Sequence, residues 1–499
     1  MTELTRSSGI VLHPTSLPGL DGIGDLGPEA YRWVDFLDQT GCSIWQVLPL
    51  GPTGYRDSPY QCFSAFAGNP CLVSLTLLLD AGLLTAADLV GRPAFPLDQV
   101  DYGLVIEWKT RLLNKAFARF NKKPHKKLAE SYTAFRHSQK NWLEDFALFM
   151  AIKEAQGGIA WGGWPVPLRK REAQALKAFS KAHAEDINRH AFLQFLFHQQ
   201  WSNLKHYANQ KGIQIMGDMP LYVAYDSSDC WSHPDLFTIN KSGHLTTVAG
   251  VPPDYFSPTG QLWGNPLYRW PVHAGQGYSW WIARVRSALN LFDILRLDHF
   301  RGFAAYWEIK AGSETAEIGR WVKGPGAKLF KALEKSIQPL PVIAEDLGVI
   351  TPDVTALRDK FHLPGMKILQ FAFSGPDNAF LPHHYPQHCV AYTGTHDNDT
   401  SLGWYHTAPA REQDFCRRYL ARTGDDIAWD FIRAVWGSVA SIAIAPMQDL
   451  LNLDTSARMN YPSRPSGNWS WRFLPGSIEP ALITRLREMN SLYDRLKRS

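Results

Sequence analysis

The stretch Phe292-Asp293-Ile294-Leu295-Arg296-Leu297-Asp298-His299-Phe300-Arg301-Gly302 sets a short apolar run against an abrupt polar turn, and that junction decides the fold. The run 292–297 is short and nearly continuous in apolar residues, as a strand buried on both faces should be. Seven more runs have this form: 9–12, 44–48, 214–217, 342–344, 366–370, 389–393 and 441–445. Helical patterns at 28–40, 190–210, 280–291, 325–336, 352–361 and 413–436 separate most of them. Strands alternating with helices predict an α/β chain folded as a single (β/α)8 TIM barrel spanning residues 1–499.

The spacing is uneven. About 165 residues separate the second and third strands, far more than one crossover helix needs. Most of that insert, 75–185, reads as a helical subdomain, with Leu104, Trp108, Leu112, Lys115, Phe117 and Phe120 on one face. A second insert, 218–277, is rich in Pro, Gly, Trp and Tyr and reads as loop. It follows a strand end, where a barrel places the loops over its site.

Composition narrows the class. The chain of 499 residues is 45% apolar and 20% charged, with a net charge of +4. That balance implies neither nucleic acid nor an anionic membrane as partner. The basic run Lys122-Lys123-Pro124-His125-Lys126-Lys127 reads as a solvated helix boundary. No apolar run reaches the ~20 residues of a membrane span. The N-terminal residues lack the layout of a signal peptide. The six cysteines form no C-x-x-C pair, which points to a reducing cytoplasm and to no zinc site. The 19 tryptophans are the compositional signal, many lying beside Gly, Pro or Asn, as in Trp161-Gly162-Gly163-Trp164, Trp263-Gly264-Asn265 and Asn468-Trp469-Ser470-Trp471. Core packing explains any single Trp; the loop setting of the group favours contact with the flat face of a sugar.

Acids appear where the apolar runs stop: Asp218, Asp298, Glu345-Asp346, the segment Gly394-Thr395-His396-Asp397-Asn398-Asp399-Thr400, and Gln448-Asp449. In a parallel barrel these ends meet at one face. Clustered like charges are unfavourable unless chemistry requires them. Cleavage of a glycosidic bond with retention does so, with one carboxylate as nucleophile and one protonated acid about 5–5.5 Å away. Arg296 lies two residues before Asp298, hence on the same strand face, where its guanidinium should keep Asp298 ionised. A divalent metal is the rival explanation, and Arg296 beside Asp298 argues against it.

The same segments resemble the amylomaltase, or disproportionating-enzyme, family of 4-α-glucanotransferases in the α-amylase clan. The resemblance covers nearly the whole chain. Its motifs include His13-Pro14-Thr15-Ser16-Leu17-Pro18-Gly19, Trp45-Gln46-Val47-Leu48-Pro49-Leu50-Gly51-Pro52, Asp57-Ser58-Pro59-Tyr60-Gln61 and Gly217-Asp218-Met219-Pro220. Ala249-Gly250-Val251-Pro252-Pro253-Asp254-Tyr255-Phe256-Ser257, Gln261-Leu262-Trp263-Gly264-Asn265-Pro266 and Ala344-Glu345-Asp346-Leu347-Gly348 continue the series.

The resemblance implies transfer of α-1,4-glucan segments to a sugar 4-OH by a two-step retaining mechanism without a cofactor. It implies that Asp298 is the nucleophile, Glu345 the general acid/base and Asp397 the transition-state stabiliser. His396 and His299 would donate hydrogen bonds to the same sugar, with Arg296 and Asp218 supporting the nucleophile. Asp254, Tyr255 and Phe256 resemble an active-site cover, with Trp263, Asn265 and Tyr60 on the substrate path; core packing competes for Tyr60. Ser463-Arg464 replace the family's Gly-Thr pair. One terminal helix, 480–497, leaves no room for the C-terminal β-domain of α-amylases. Hydrolysis at the same site, and binding of glucan without turnover, are the alternatives.

Overall fold

A computed structural model describes residues 4–123, 125–253, 257–462, 464 and 466–497. Among these, twelve strands follow in chain order: β1 Ser7–Val11, β2 Ile44–Gln46, β3 Gln214–Met219, β4 Thr247–Val251, β5 Gln261–Pro266, β6 Ile294–Leu297, β7 Ala305–Lys310, β8 Gly319–Lys323, β9 Val342–Ala344, β10 Gly365–Ile368, β11 Cys389–Tyr392 and β12 Ile442–Pro446. Eight of them form one parallel sheet in the order β10-β11-β12-β1-β2-β3-β6-β9. The remaining seam lies between β9 and β10, where Ala344 N–H donates to Pro364 O at 2.9 Å. The sheet is thus a (β/α)8 barrel, with each predicted apolar run contributing one strand.

Apart from the exposed Gln214 that opens β3 and the half-buried Lys367 in β10, these strands are buried, because helices cover one face and the barrel interior the other. The covering helices carry the expected stripe. Pro28–Thr40 starts with Pro in its first turn and buries Ala30, Trp33, Val34 and Leu37. Gly41 ends it at φ 78°, where an added Cβ would meet Leu496 Cδ2 at 2.5 Å. Only a residue free to adopt that left-handed conformation fits this stop.

The insert between β2 and β3 holds helices including Tyr102–Lys122, Lys126–Ser138, Lys140–Ala155 and Ala173–Ala182. The buried face of Tyr102–Lys122 contains the expected Trp108, Leu112, Phe117 and Phe120 together with Val105, Lys109, Leu113 and Ala116, whereas Lys115 is exposed and Leu104 is 39% exposed. Leu104 sits in the first turn, where its N–H is capped by Asp101, and so faces outward. The predicted helix 413–436 is two, Ala410–Leu420 and Ile427–Gly437. Ala421, at φ 52°, ends the first of them.

The stretch 218–277 is not all loop. It contains β4 and β5, which join β7 and β8 in an antiparallel sheet of order β5-β4-β7-β8. This second sheet arises entirely from connections following β3 and β6, so it sits beyond the C-terminal ends of the barrel strands. No helix among the described residues is long and apolar enough to cross a membrane.

Candidate active site

Register brings the first three charges together. Asp218 in β3 is paired with Arg296 in β6, so their side chains leave the sheet on one face. Arg296 Nη1 donates to Asp218 Oδ2 at 2.6 Å and to Asp298 Oδ1 at 3.0 Å. The guanidinium and Asp218 are buried, whereas the Asp298 side chain keeps 27% of its surface open. Burial alone would lower the Arg296 pKa, yet Asp218 and Asp298 hold it well above its usual value.

The chain turns sharply after Asp298. His299 adopts φ 52°, a conformation rare for a residue with a side chain. The turn directs its backbone N–H at Glu345 Oε2, 2.7 Å away, while Leu347 N–H donates to Glu345 Oε1 at 2.9 Å. Backbone bonds from Glu345 N–H to Leu297 O and from Phe300 N–H to Glu345 O lock the two strand ends together. Burial pushes Glu345 up to about 8, against the pull of Arg296 and with the push of Asp298. Burial also pushes Asp298 up to about 7, against Arg296. Arg296, expected to keep Asp298 ionised, pulls that carboxyl down against desolvation, and it touches Asp298 rather than Glu345, which favours Asp298 as the first of the pair to ionise.

Tyr60 and His396 connect this group to Asp397. The Tyr60 hydroxyl donates to Asp218 Oδ2 at 2.7 Å and lies 2.8 Å from His396 Nε2. The phenol has one proton, already given to the carboxylate, so Nε2 must carry a hydrogen and donate back. Burial lowers the His396 pKa, which keeps that ring neutral near neutral pH. Tyr60 and His396 stack at 5.3 Å, and Trp469 lies 5.7 Å from Tyr60 and 6.0 Å from His396. Asp397 Oδ1 is 3.4 Å from His396 Nε2 and accepts from Asn460 Nδ2 at 2.6 Å. Arg458 Nη2 donates to the Asp397 carbonyl at 2.6 Å. Across the cleft, Trp263 meets the His299 ring edge to face at 4.7 Å, and burial lowers the His299 pKa to about 4.

Several sequence candidates go elsewhere. Asp346 turns away from Glu345, as adjacent residues on an extended chain do. It pairs with Arg358 at 2.5 Å and accepts from Met366 N–H at 2.7 Å. Asp449 is buried and accepts from Thr393 Oγ1, Ser401 N–H and Ser401 Oγ. The amide of Asn265 is engaged at both ends, donating to Val223 O at 2.9 Å and accepting from Gln61 Nε2 at 3.1 Å. These two bonds tie two site loops together. Trp161 and Trp164 lie in the core, 1% and 2% exposed. Their polar neighbours in sequence mislead because Trp161 satisfies its indole N–H on Tyr225 O. Asp254, Tyr255 and Phe256 lie outside the described residues.

Reading the sequence missed Arg458 and Asn460 as site residues, whereas Trp469 was among the loop tryptophans expected to meet a sugar. Asn460 lies three residues before the Ser463-Arg464 pair that differs from the family pattern, which was the available signal. Among the described residues no cluster of His, Cys, Asp and Glu could hold a metal ion.

The sequence model of the 4-alpha-glucanotransferase family matches residues 12–477. A 4-alpha-glucanotransferase of Thermus thermophilus is 54% identical, over 99% of this chain and 100% of its own. One from Synechocystis is 47% identical over 98% of both chains. An amylomaltase from Streptococcus agalactiae, solved in complex with acarbose, superposes with a TM-score of 0.96 at 39% identity, over 98% of this chain and 99% of its own. Barrel, carboxylates and relatives agree, and the chain belongs to the 4-alpha-glucanotransferase family.

Proposed function

We propose that this 4-α-glucanotransferase works by double displacement on Asp298, with maltooligosaccharides and longer α-1,4-glucans as donors and acceptors in the cytoplasm. Asp298 attacks the anomeric carbon while Glu345 gives its proton to the departing 4-oxygen. The first bond breaks as the glycosyl–Asp298 ester forms. The acceptor's 4-OH then passes its proton to Glu345 and attacks the same carbon, releasing Asp298. Asp397 binds ring hydroxyls as positive charge develops on the sugar. His396 and His299 bind the same ring, and Trp263 faces the incoming acceptor. Tyr60 and Asp218 hold Arg296 and His396 in place.

The observation that carries this reading is the unequal setting of two buried carboxyls. Asp298 has a guanidinium at 3.0 Å, whereas Glu345 is held by backbone N–H groups alone. The guanidinium disposes the first to ionise, whereas burial, which outweighs those N–H bonds, disposes the second to keep a proton. Asp254, Tyr255 and Phe256 are proposed as the cover that lets a bound acceptor outcompete water.

Incubation with maltotriose is the test. Transfer yields glucose and longer chains with no net gain in reducing ends, whereas hydrolysis raises them. Asp298→Asn and Glu345→Gln should each abolish glucose release with the fold retained by circular dichroism. Wild-type turnover in either variant removes that residue from the mechanism.

A further inference from the structure

Asp397 lies five residues beyond the end of β11 at Tyr392, so no strand ladder fixes its backbone. Its carboxylate is half open to the cleft, 47% exposed. A group in that position needs external supports if it is to stand in one place. Both supports come from one segment near the C-terminal end of the fold. Arg458 Nη2 donates to Asp397 O at 2.6 Å, and Arg458 Nε donates to Asn460 O at 2.8 Å. Asn460 in turn donates its side-chain amide to Asp397 Oδ1 at 2.6 Å. One guanidinium therefore grips the backbone of Asp397 and the backbone of the residue that grips its carboxylate.

The guanidinium is itself held. Its carbon lies 4.5 Å from the centroid of the Tyr461 ring, and that of Arg464 lies 4.3 Å from the same ring. Tyr461 is anchored by its hydroxyl on Thr455 O at 2.9 Å and by its N–H on Asn468 Oδ1 at 2.8 Å. A planar, permanently charged fork on an aromatic face has few alternative positions. Arg464, one of the two residues that depart from the family pattern, thus joins this brace through Tyr461.

We infer that Arg458 is a positioning residue for the transfer reaction, holding Asp397 in its working orientation directly and through Asn460. The inference rests on the proposed role of Asp397 at the transition state. A carboxylate fixed beforehand binds the reacting ring without reorganising as charge develops. A loosened one still admits the substrate but meets the transition state poorly, so the loss falls on kcat rather than KM.

The experiment compares Arg458→Ala, Arg458→Lys and Asn460→Ala with Asp397→Asn in the full-length protein, measuring kcat and KM for glucose release from maltotriose. Arg458→Ala should lower kcat about 10- to 100-fold with KM within about threefold, the scale of a displaced catalytic group. Guanidinium chloride at non-denaturing concentration should restore part of that loss, and none in Asn460→Ala. Arg458→Lys should fall between, since an ammonium reaches one carbonyl but lacks the fork. Wild-type kcat in Arg458→Ala overturns the inference, as does a rise in KM at unchanged kcat, which marks a sugar contact. A loss with neither guanidinium rescue nor an intermediate lysine variant also overturns it. If Arg458→Ala fails to fold, Asn460→Ala must show the same fall in kcat. Wild-type turnover in Asp397→Asn removes the underlying reading of the site; an inactive Asp397→Asn beside a fully active Arg458→Ala removes only this inference.

Discussion

Replacing Arg296 with Met leaves the two carboxylates it bridges without their cation. At an effective dielectric of about 20, a unit charge pair at 2.6 Å attracts by roughly 6 kcal/mol and one at 3.0 Å by roughly 5.5 kcal/mol. The desolvation of all three groups offsets much of this. Asp218 suffers most, because its side chain is fully buried and only the Tyr60 hydroxyl remains to it. Breaking one partner out of such a set typically costs about 3–5 kcal/mol, and Arg296→Met should lose that much stability in urea titration. Adding Asp218→Asn removes the stranded charge while its amide oxygen still accepts from Tyr60. The double variant should therefore regain most of the lost stability. It should not regain transfer, because Asp298 still lacks its guanidinium. Urea midpoints and glucose release from maltotriose, measured on the same preparations, separate the two effects. A double variant less stable than Arg296→Met, or one that recovers turnover, refutes the account of Arg296 as a charge shared between structure and chemistry.

Tyr60→Phe deletes the hydroxyl between Asp218 and His396 but leaves the ring stacked 5.3 Å from His396; kcat should fall about tenfold, near 1.4 kcal/mol in barrier, and an unchanged kcat removes Tyr60 from the network. The pH profile of kcat/KM should rise as Asp298 ionises and fall as Glu345 loses its proton, with limbs near pH 7 and 8. Those limbs belong to the coupled pair, and a profile level from pH 6 to 9 contradicts them. Stability should respond to the same group. Glu345 is raised from 4.5 to about 8 on folding, so folding forces it to stay protonated while the unfolded chain ionises, and stability falls as pH rises from about 4.5 through about 8. Glu345→Gln should reduce that dependence to the part that Asp298 contributes, since Asp298 is raised to about 7, and should exceed wild type at pH 8; urea titrations at pH 4 and 8 check the sign.

The barrel was legible because its strands are buried on both faces, so apolar runs such as that of β12 mark them without ambiguity. The second sheet was not, although Tyr306-Trp307-Glu308-Ile309-Lys310 in β7 mixes apolar and polar residues much as a strand on a surface does. Its strands are flanked by Gly and Pro and stabilised by pairing beyond the local sequence, such as Trp307 opposite Trp321. At the site, strand ends pointed to the acids but not to their direction. Glu345 and Asp346 are neighbours in sequence, and extended backbone sends them to opposite environments, one to the cleft and one to Arg358. Arg458 was invisible for another reason: it reaches Asp397 from 61 positions further along the chain, and no local pattern encodes that.

The ring of strands has a consequence for how the chain matures. β1 sits between β2 and β12, so half of its ladder is supplied by residues synthesised about 430 positions later. During translation the first strand can find one neighbour early, yet its other edge stays bare until nearly the whole polypeptide has left the ribosome. Such an edge invites unwanted pairing with other nascent chains. The late arrival of Ile442–Pro446 is the event that ends this vulnerability.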